Sequence, residues 1–496
     1  MKNIPGKPIR RILKALSYLS LGGFTALLIV GILYLNNQPD LDVWHEAALD
    51  AEFTVASEVQ DFSSYLAREE KLFTQLDEEV LDHIAPEDRR RINRYHRGSL
   101  SDPARWQRNW NRTFELEPDK PQMGVLLLHG MSDSPYSLRT IGQRLHQAGA
   151  WVIGLRSPGH GTAPSGLVTV KWEDMAAGME LALRHLHDQT PGKPVFIVGY
   201  STGAALAVNY ALKTLEETDL PPVAGLALIS PSIGVTGAAA LAVWQARIGH
   251  LLGLDKLAWN SVGPEYDPFK YNSFAVNAGD QVYRLTLEIQ SRFNKLAKAG
   301  GVKKFPPVLA FQSVVDATVS TRAVADGLFK RLPMGGHELV LFDINRRAEV
   351  KELLSHHPQT IFNPLFKGDK LTFALSLVTN RDAENSKVMI RHRRAGKSEV
   401  IEKKIPFAWP DAIYSLSHVA MPFPESDPLY GGAASGDSPG ISLGNLAAHG
   451  ERNVLQISAT DMLRQRWNPF YVFLENRIVE FMGLSITPAT MEYFED

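Results

Sequence analysis

The pattern of apolar and polar positions divides the chain into segments of different character. The first is an uncharged run at 15–35, preceded by basic residues within 1–14 and followed by Asp40 and Asp42. Such a run is long enough to cross a bilayer as a helix, and the positive-inside rule places 1–14 in the cytoplasm and the rest of the chain outside. No small-residue cleavage site follows the run, so the pattern predicts an uncleaved signal anchor, with a periplasmic domain if the chain is bacterial.

Residues 36–121 are mostly polar, and their apolar positions between 59 and 84 are spaced as on the buried face of one or two amphipathic helices. We therefore expect a helical linker region between the membrane and the core. Trp106 and Trp110 are expected to pack this linker onto the domain that follows it.

From residue 122 onward, short apolar runs alternate with helical patterns. The predicted strands are 125–128, 151–155, 195–198 and 226–230, and the predicted helices are 136–146, 172–187 and 204–215. This alternation predicts an α/β fold with a mostly parallel sheet and helices on both faces. Residues 122–232 would form the first part of this core, and active sites in such sheets lie at the carboxyl ends of the strands.

Two later segments interrupt the alternation. Residues 233–300 are Ala-rich, then aromatic, and end in a helical pattern, which predicts a cap insertion above the active site. The core resumes at 301–346, with predicted strands at 308–311 and 338–342 and a helix at 322–332 between them. Residues 347–406 alternate like strands, which predicts a strand-rich insertion in the form of an antiparallel extension or subdomain. Residues 407–496 would hold a loop region and a closing helix.

Composition excludes several kinds of site. The chain has no cysteine, which excludes disulfides, thiolate metal sites and a cysteine nucleophile. The formal net charge is −2, and no basic stripe alternates with aromatic residues, so nucleic acid is not an expected partner. Neither an H-E-x-x-H motif nor a Gly-rich nucleotide loop occurs, so we expect no metal and no cofactor.

The clearest chemical signal is the pentapeptide Gly-Tyr-Ser-Thr-Gly at 199–203, between a predicted strand and a predicted helix. In this setting G-x-S-x-G is the pattern of a nucleophile elbow, a sharp turn that exposes the serine hydroxyl at the end of a sheet. Glycines permit such a turn, and the following helix offers free N–H groups to an oxyanion. Ser201 is therefore the candidate nucleophile, and it needs a base and an acid that orients the base.

Two neighbouring segments extend this signal, LLLHGMSDSPYSLR at 126–139 and RSPGHGTAPSGL at 156–167. Together with the pentapeptide they resemble the α/β-hydrolase superfamily, in particular its carboxylesterase and monoacylglycerol-lipase-like group of serine aminopeptidase S33 type. The resemblance extends over about 124–316, and it implies an α/β-hydrolase fold.

The resemblance also assigns roles to single residues. It implies an oxyanion hole formed by the backbone amides of Met131 and Thr202. Because the family order is serine, acid, histidine, His129 and His160 are expected to shape loops rather than to act as bases. Asp133 is expected to be a turn or helix-cap residue.

The acid is expected to follow the next-to-last core strand. Asp316 comes shortly after the strand 308–311 and fits the family's strand-x-x-x-D-x-x-V segment. Asp343, directly after the strand 338–342, is the alternative.

The base is harder to place, because no histidine stands just after 338–342, where a compact family member carries it. His356 and His357 lie at the end of a helical pattern and are expected to be surface residues. His418 lies in a Ser-x-Ser-His-Val loop that resembles the family's histidine loop; it is the predicted base, and His449 is the alternative. Residues 347–406 would then be an insertion whose ends lie close in space.

These observations predict a membrane-anchored serine hydrolase that cleaves carboxylic esters, with a small-molecule or lipid-like substrate, through an acyl-enzyme. A peptidase or amidase of the same fold is the first alternative, because sequence does not separate ester from amide cleavage. A non-enzymatic membrane-tethered binding module is the second.

Overall fold

The computed structural model describes residues 7–234, 255–348, 357–368, 371–411, 413–432, 438–444 and 457–484. The Ala-rich part of the predicted cap, the surface candidate His356 and the alternative base His449 lie outside the described residues.

Twelve strands are assigned within the described ranges. In chain order they are β1 (Phe114–Leu116), β2 (Met123–Leu128), β3 (Ala150–Leu155), β4 (Val195–Tyr200), β5 (Gly225–Ile229), β6 (Trp259–Ser261), β7 (Phe274–Ala275), β8 (Val308–Ser313), β9 (Glu338–Phe342), β10 (Ala374–Asn380), β11 (Lys387–Arg393) and β12 (Val400–Ala408).

The α-helices assigned in the same ranges connect these strands or flank the sheet. They are α1 (Lys7–Asn37), α2 (Val43–Glu46), α3 (Phe62–Glu79), α4 (Arg139–Gln147), α5 (Gly166–Thr169), α6 (Trp172–Gln189), α7 (Thr202–Lys213), α8 (Val276–Lys298), α9 (Thr321–Gly327), α10 (Gln359–Lys367), α11 (Ala459–Met462) and α12 (Tyr471–Phe481).

Ten of the described strands form one sheet in the order β1-β3-β2-β4-β5-β8-β9-β10-β11-β12. The pairings from β3 through β10 are parallel, whereas β1, β11 and β12 pair antiparallel at the two edges. Alternate residues of β2 enter two separate cores: Leu126 and Leu128 pack on the side of α6, α7 and α8, and Val125 and Leu127 on the side of α4 and α12. The predicted α/β-hydrolase sheet with helices on both faces is confirmed.

The segment after β9 differs from its prediction. Residues 347–406 were expected to form an antiparallel extension or subdomain, but β10 pairs parallel with β9 and continues the main sheet. A parallel neighbour needs a crossover connection, and α10 lies between the two strands in the chain. Among themselves, β10, β11 and β12 have the expected antiparallel pairing.

The region 36–121 is part of the folded core rather than a separate linker. Its apolar pattern forms one long helix, α3, which packs against α6, and its last residues form the edge strand β1. Trp106 packs as expected, with its ring 5.1 Å from that of Phe269 in the cap segment. No sequence pattern indicates β1, because three residues are too few to show a strand period.

At the N-terminus, α1 covers the whole of the uncharged run 15–35. Among the residues that the structure describes, no helix reaches the length and apolarity needed to cross a membrane.

A buried ion cluster joins the N-terminal region to the sheet. Arg156, just after β3, is 1% exposed. Its guanidinium lies 2.8 Å from Glu52 and 3.0 Å from Glu69. Burial penalises the charge of Glu52, but the attraction of Arg156 outweighs it and holds the Glu52 pKa below its usual value. The three charges are therefore stable in the interior only as a set.

We predict that Arg156→Met lowers the free energy of unfolding by about 3–5 kcal/mol, because it leaves Glu52 and Glu69 without a counter-charge. Urea unfolding at pH 7 measures this change. The matched control is Arg97→Met, whose guanidinium also contacts two carboxylates but is 54% exposed, so we expect a loss below about 1 kcal/mol. Equal losses in the two variants would contradict the prediction.

Candidate active site

The backbone at Ser201 has the geometry of a strained elbow. Ser201 stands alone between β4 and α7 with φ 54° and ψ −113°, a conformation that costs a non-glycine residue about 1–3 kcal/mol. Two hydrogen bonds hold it there: its N–H donates to Ile229 O at 2.9 Å, and its carbonyl accepts from Ser232 N at 3.1 Å. The strain is therefore carried by the candidate nucleophile itself.

The two flanking glycines serve close packing. A Cβ on Gly203 would lie 2.1 Å from Leu128 O at the end of β2, and one on Gly199 would lie 2.5 Å from Ala204 Cα. Neither glycine has a positive φ. The two glycines are thus needed because the start of α7 packs closely against the sheet. The residue with a positive φ is Ser201, which lies between the two glycines.

Ser201, His418 and Asp316 form a continuous chain of hydrogen bonds. Ser201 Oγ lies 3.0 Å from His418 Nε2, and His418 Nδ1 lies 2.8 Å from Asp316 Oδ2. The other Asp316 oxygen accepts from the amides of Thr318 and Val319 at 2.8 and 2.9 Å. The structure therefore brings together the predicted nucleophile, base and acid, in the order that nucleophilic catalysis requires.

The surroundings favour the ionised form of the acid. Burial by itself would raise the pKa of Asp316, but the charge and hydrogen bond of His418, with the amides of Val319 and Thr318, hold that pKa below its usual value. A carboxylate in this position can orient the imidazole and stabilise its protonated form.

Contacts with neighbouring strands fix the histidine loop in place. Ser313 Oγ, at the end of β8, donates to Leu416 O at 2.9 Å. Tyr200 Oη donates to the carbonyl of His418 at 3.3 Å, and the two rings lie 5.4 Å apart. The loop thus returns to the carboxyl ends of β4 and β8 although it follows β12 in the chain.

The other candidates have different partners. Asp343 is bound by Arg346 at 2.7 Å and by Thr379 at 2.8 Å, and it follows β9, which lies three strands away from β4 in the sheet. His129 accepts from Ser157 N at 3.1 Å, and His160 packs 5.1 Å from the His129 ring. Burial lowers the pKa of both histidines, to about 4 for His160. These contacts tie one loop to the next, as expected.

The two predicted oxyanion donors border Ser201. Thr202 is the first residue of α7, and the first N–H groups of a helix have no partner within it. On the opposite side, a Cβ on Gly130 would lie 3.0 Å from Ser201 Cβ, so the peptide that carries the Met131 N–H passes directly beside the serine. Their role in holding an oxyanion remains a prediction.

Comparison with known proteins agrees with the fold. Residues 119–344 match the family model described as serine aminopeptidase, S33. This segment is an α/β-hydrolase domain. A thermostable monoacylglycerol lipase from Bacillus sp. (strain H-257) is 23% identical to it over 218 residues, which cover 44% of this chain and 80% of the lipase.

Solved structures of similar proteins include two lipases. The monoacylglycerol lipase of Paleococcus ferrophilus is 18% identical, with a TM-score of 0.35 over 47% of this chain and 88% of that one. A soluble variant of the Saccharomyces cerevisiae monoglyceride lipase is 15% identical, with a TM-score of 0.35 over 47% of this chain and 82% of that one.

A cavity of about 420 Å³ opens beside the triad of the hydrolase domain. Tyr200 and Ser132, the neighbours of Ser201 and Met131, form part of its wall. Its charged lining consists of Asp133, Asp267, Lys270, Asp461, Arg464 and Arg466, and its larger apolar lining of Val262, Phe274, Val419, Phe423 and Ile457. Several of these residues come from 259–275, so the described part of the predicted cap does lie over the site. The described part of the cap adds two charged residues to this lining, Asp267 and Lys270.

Asp133 differs most from its expected role. It was expected to be a turn or helix-cap residue, and it does accept from Ser134 N at 3.0 Å. Its carboxyl group also faces the cavity, and burial raises its pKa to about 6 against the opposing charge of Lys270. The sequence signal for this position was its place within the predicted oxyanion loop.

Among the described residues, no cluster of His, Asp and Glu could hold a metal ion.

The raised pKa of Asp133 predicts a pH-dependent stability. Below about pH 4 the carboxyl group is neutral in both the folded and the unfolded protein. In the folded protein its pKa is about 6, so between these pH values it ionises more readily in the unfolded protein. Stability present at low pH is therefore lost as the pH rises through about 6. We expect the free energy of unfolding of the wild type, relative to Asp133→Asn, to fall by roughly 2–3 kcal/mol between pH 4 and 7.

Urea unfolding of both proteins at several pH values measures this difference. Asp382→Asn is the matched control, since Asp382 is an exposed loop residue. Parallel pH profiles for wild type and Asp133→Asn would contradict the prediction.

Proposed function

We propose that the protein is a serine hydrolase that cleaves carboxylic esters through an acyl-enzyme. The observation that carries the proposal is the hydrogen-bonded chain Ser201–His418–Asp316, with separations of 3.0 and 2.8 Å. It stands on an α/β-hydrolase domain and beside a cavity within the size range of small-molecule sites, roughly 300–1,000 Å³.

The reaction follows from this geometry. Ser201 Oγ attacks the ester carbonyl carbon while His418 Nε2 takes its proton, and Asp316 holds the imidazole by its Nδ1–H. The amides of Met131 and Thr202 stabilise the oxyanion. The alcohol leaves with the proton from His418, and water, activated by the same imidazole, releases the acid from Ser201.

The lining of the cavity supports a substrate with both an apolar and a polar part. Val262, Phe274 and Phe423 offer surface for a hydrocarbon chain, whereas Asp461 and Arg464 suit hydroxyl groups. A monoacylglycerol-like ester combines these features, and the Bacillus relative is named as a monoacylglycerol lipase. We propose this substrate class.

An amidase is the second candidate, because the matching family model is described as a serine aminopeptidase. The same triad performs both reactions. Parallel assays with monooctanoylglycerol and with aminoacyl p-nitroanilides separate them by the ratio of kcat/KM.

We also propose that 15–35 anchors the protein in a membrane, with 1–14 in the cytoplasm and the hydrolase domain outside. The support is the sequence itself: an uncharged run preceded by Lys and Arg.

Labelling with a fluorophosphonate probe tests the triad. We expect the wild type to be labelled and Ser201→Ala and His418→Ala to lose labelling, with ester hydrolysis lower by at least about 10⁴-fold. His449→Ala tests the alternative base, and His83→Ala, at an exposed position, is the matched control; both should keep labelling. Labelling of folded Ser201→Ala, or loss of activity only in His449→Ala, would refute the assignment.

Membrane fractionation tests the anchor. We expect the full chain to stay with membranes after an alkaline carbonate wash, and Ile29→Lys to release part of it, because a charge inside a spanning helix costs up to about 2.5–3.5 kcal/mol. Asn36→Lys, just beyond the run, is the matched control and should have no effect. Extraction of the wild-type chain by the wash would contradict the anchor.

A further inference from the structure

The oxyanion loop contains a second strained serine. Asp133 N donates to Gly130 O at 3.3 Å, which closes a turn over Met131 and Ser132. Ser132 has a φ of 62°, as the third residue of a type II turn requires, and glycine is the usual residue there. The loop that presents the Met131 N–H therefore has a backbone conformation that its own sequence does not favour. Contacts with other segments must stabilise this conformation.

Two consecutive residues of the cap segment supply those contacts. Tyr271 N donates to Ser132 O at 2.8 Å, and Lys270 Nζ donates to Ser132 Oγ at 3.1 Å. The cap residues are themselves fixed, since Lys270 N donates to Asp267 Oδ1 at 3.1 Å and Tyr271 Oη accepts from Thr162 N at 2.7 Å. Both oxygen atoms of Ser132 thus accept hydrogen bonds from the cap.

The ammonium of Lys270 also acts on the charge of the loop. In the described ranges it forms no ion pair within 4 Å, and its hydrogen-bond partner is a neutral hydroxyl. It is the charge that acts most strongly on Asp133. Asp133 stands two residues after Met131 and faces the same cavity. An uncompensated carboxylate at this place would oppose the negative charge that forms on the substrate oxygen.

We propose that Lys270 is a positioning residue of the oxyanion hole: it fixes the left-handed turn at Ser132 and offsets the negative charge of Asp133. The inference rests on the proposed function, because it concerns the oxyanion of that reaction. Its consequence is that the oxyanion hole is complete only when the cap segment is seated on the loop.

Steady-state kinetics with monooctanoylglycerol or p-nitrophenyl butyrate test the proposal. We expect Lys270→Met to lower kcat by at least about tenfold with little change in KM, less than the roughly hundredfold that follows loss of an oxyanion donor. Lys270→Arg, which keeps the charge and a donor, should retain more of the wild-type kcat than Lys270→Met.

The double variant Asp133→Asn/Lys270→Met separates an electrostatic role from a structural one. Removing the carboxylate should restore part of the kcat lost in Lys270→Met, because no uncompensated charge then opposes the oxyanion. A role in packing alone predicts no recovery.

Ser132→Ala and Ser132→Gly test the turn. Both variants remove Oγ, but glycine relieves the backbone strain, so Ser132→Gly should have the higher kcat.

Lys330→Met is the matched control, because Lys330 is 49% exposed and pairs with Asp326 on the surface. Its kcat should equal that of the wild type. A folded Lys270→Met with wild-type kcat, or a double variant no faster than Lys270→Met, would overturn the positioning role while Ser201-dependent hydrolysis remained. If folded wild type neither cleaves esters nor reacts with the fluorophosphonate, the proposed function fails and this role fails with it.

Discussion

The site depends on the close approach of one helix to the end of one strand. Helix α7 begins so near β2 that only glycine fits at position 203, 2.1 Å from Leu128 O in the Cβ direction. This contact places the free amide at the start of α7, the strained Ser201 and the loop after β2 within a few ångströms of one another. The positive φ of Ser201 is the local cost of that arrangement, and the hydrogen bonds from β5 and Ser232 maintain it.

His418, the proposed base, reaches this corner from a distant part of the chain. Strands β10, β11 and β12 extend the main sheet beyond β9, and the chain then returns to the ends of β8 and β4, where Ser313 and Tyr200 hold the histidine loop. An added block of strands is compatible with the triad because it grows at the edge of the sheet. The geometry among Ser201, His418 and Asp316 is set by β4 and β8, which the addition leaves untouched.

Charge distinguishes this site from a simple apolar pocket. Six charged side chains line the cavity, and one of them, Asp133, lies in the loop that is proposed to supply an oxyanion donor. Burial makes its ionisation unfavourable, and Lys270 is the strongest opposing charge. The cap segment therefore adds a positive charge and two hydrogen bonds, from Lys270 and Tyr271, to the loop beside Ser201. In the same way, the buried Arg156 with Glu52 and Glu69 makes the N-terminal region part of the domain rather than a tether.

The features that depend on neighbouring residues could be predicted from the sequence alone. The alternation of strand and helix patterns predicted the parallel sheet, and the pentapeptide around Ser201 in its strand-to-helix setting predicted the elbow, because both are local consequences of side-chain period and of glycine at close contacts. Asp316 followed from its place after β8. His418 could be named as the candidate base only because its loop resembles a family loop. The sequence does not show that His418 and Asp316, about a hundred positions apart, lie close together in space.

Contacts between groups that are far apart in the sequence could be identified only from the tertiary structure. In the folded chain His418 lies beside Ser201, and Lys270 Nζ binds Ser132 Oγ. Strand β10 pairs parallel with β9, and the short strand β1 pairs with β3 at the edge of the sheet. Each of these is a contact between segments far apart in sequence, and its free energy comes from packing, burial and charge pairing that exist only once the sheet has formed.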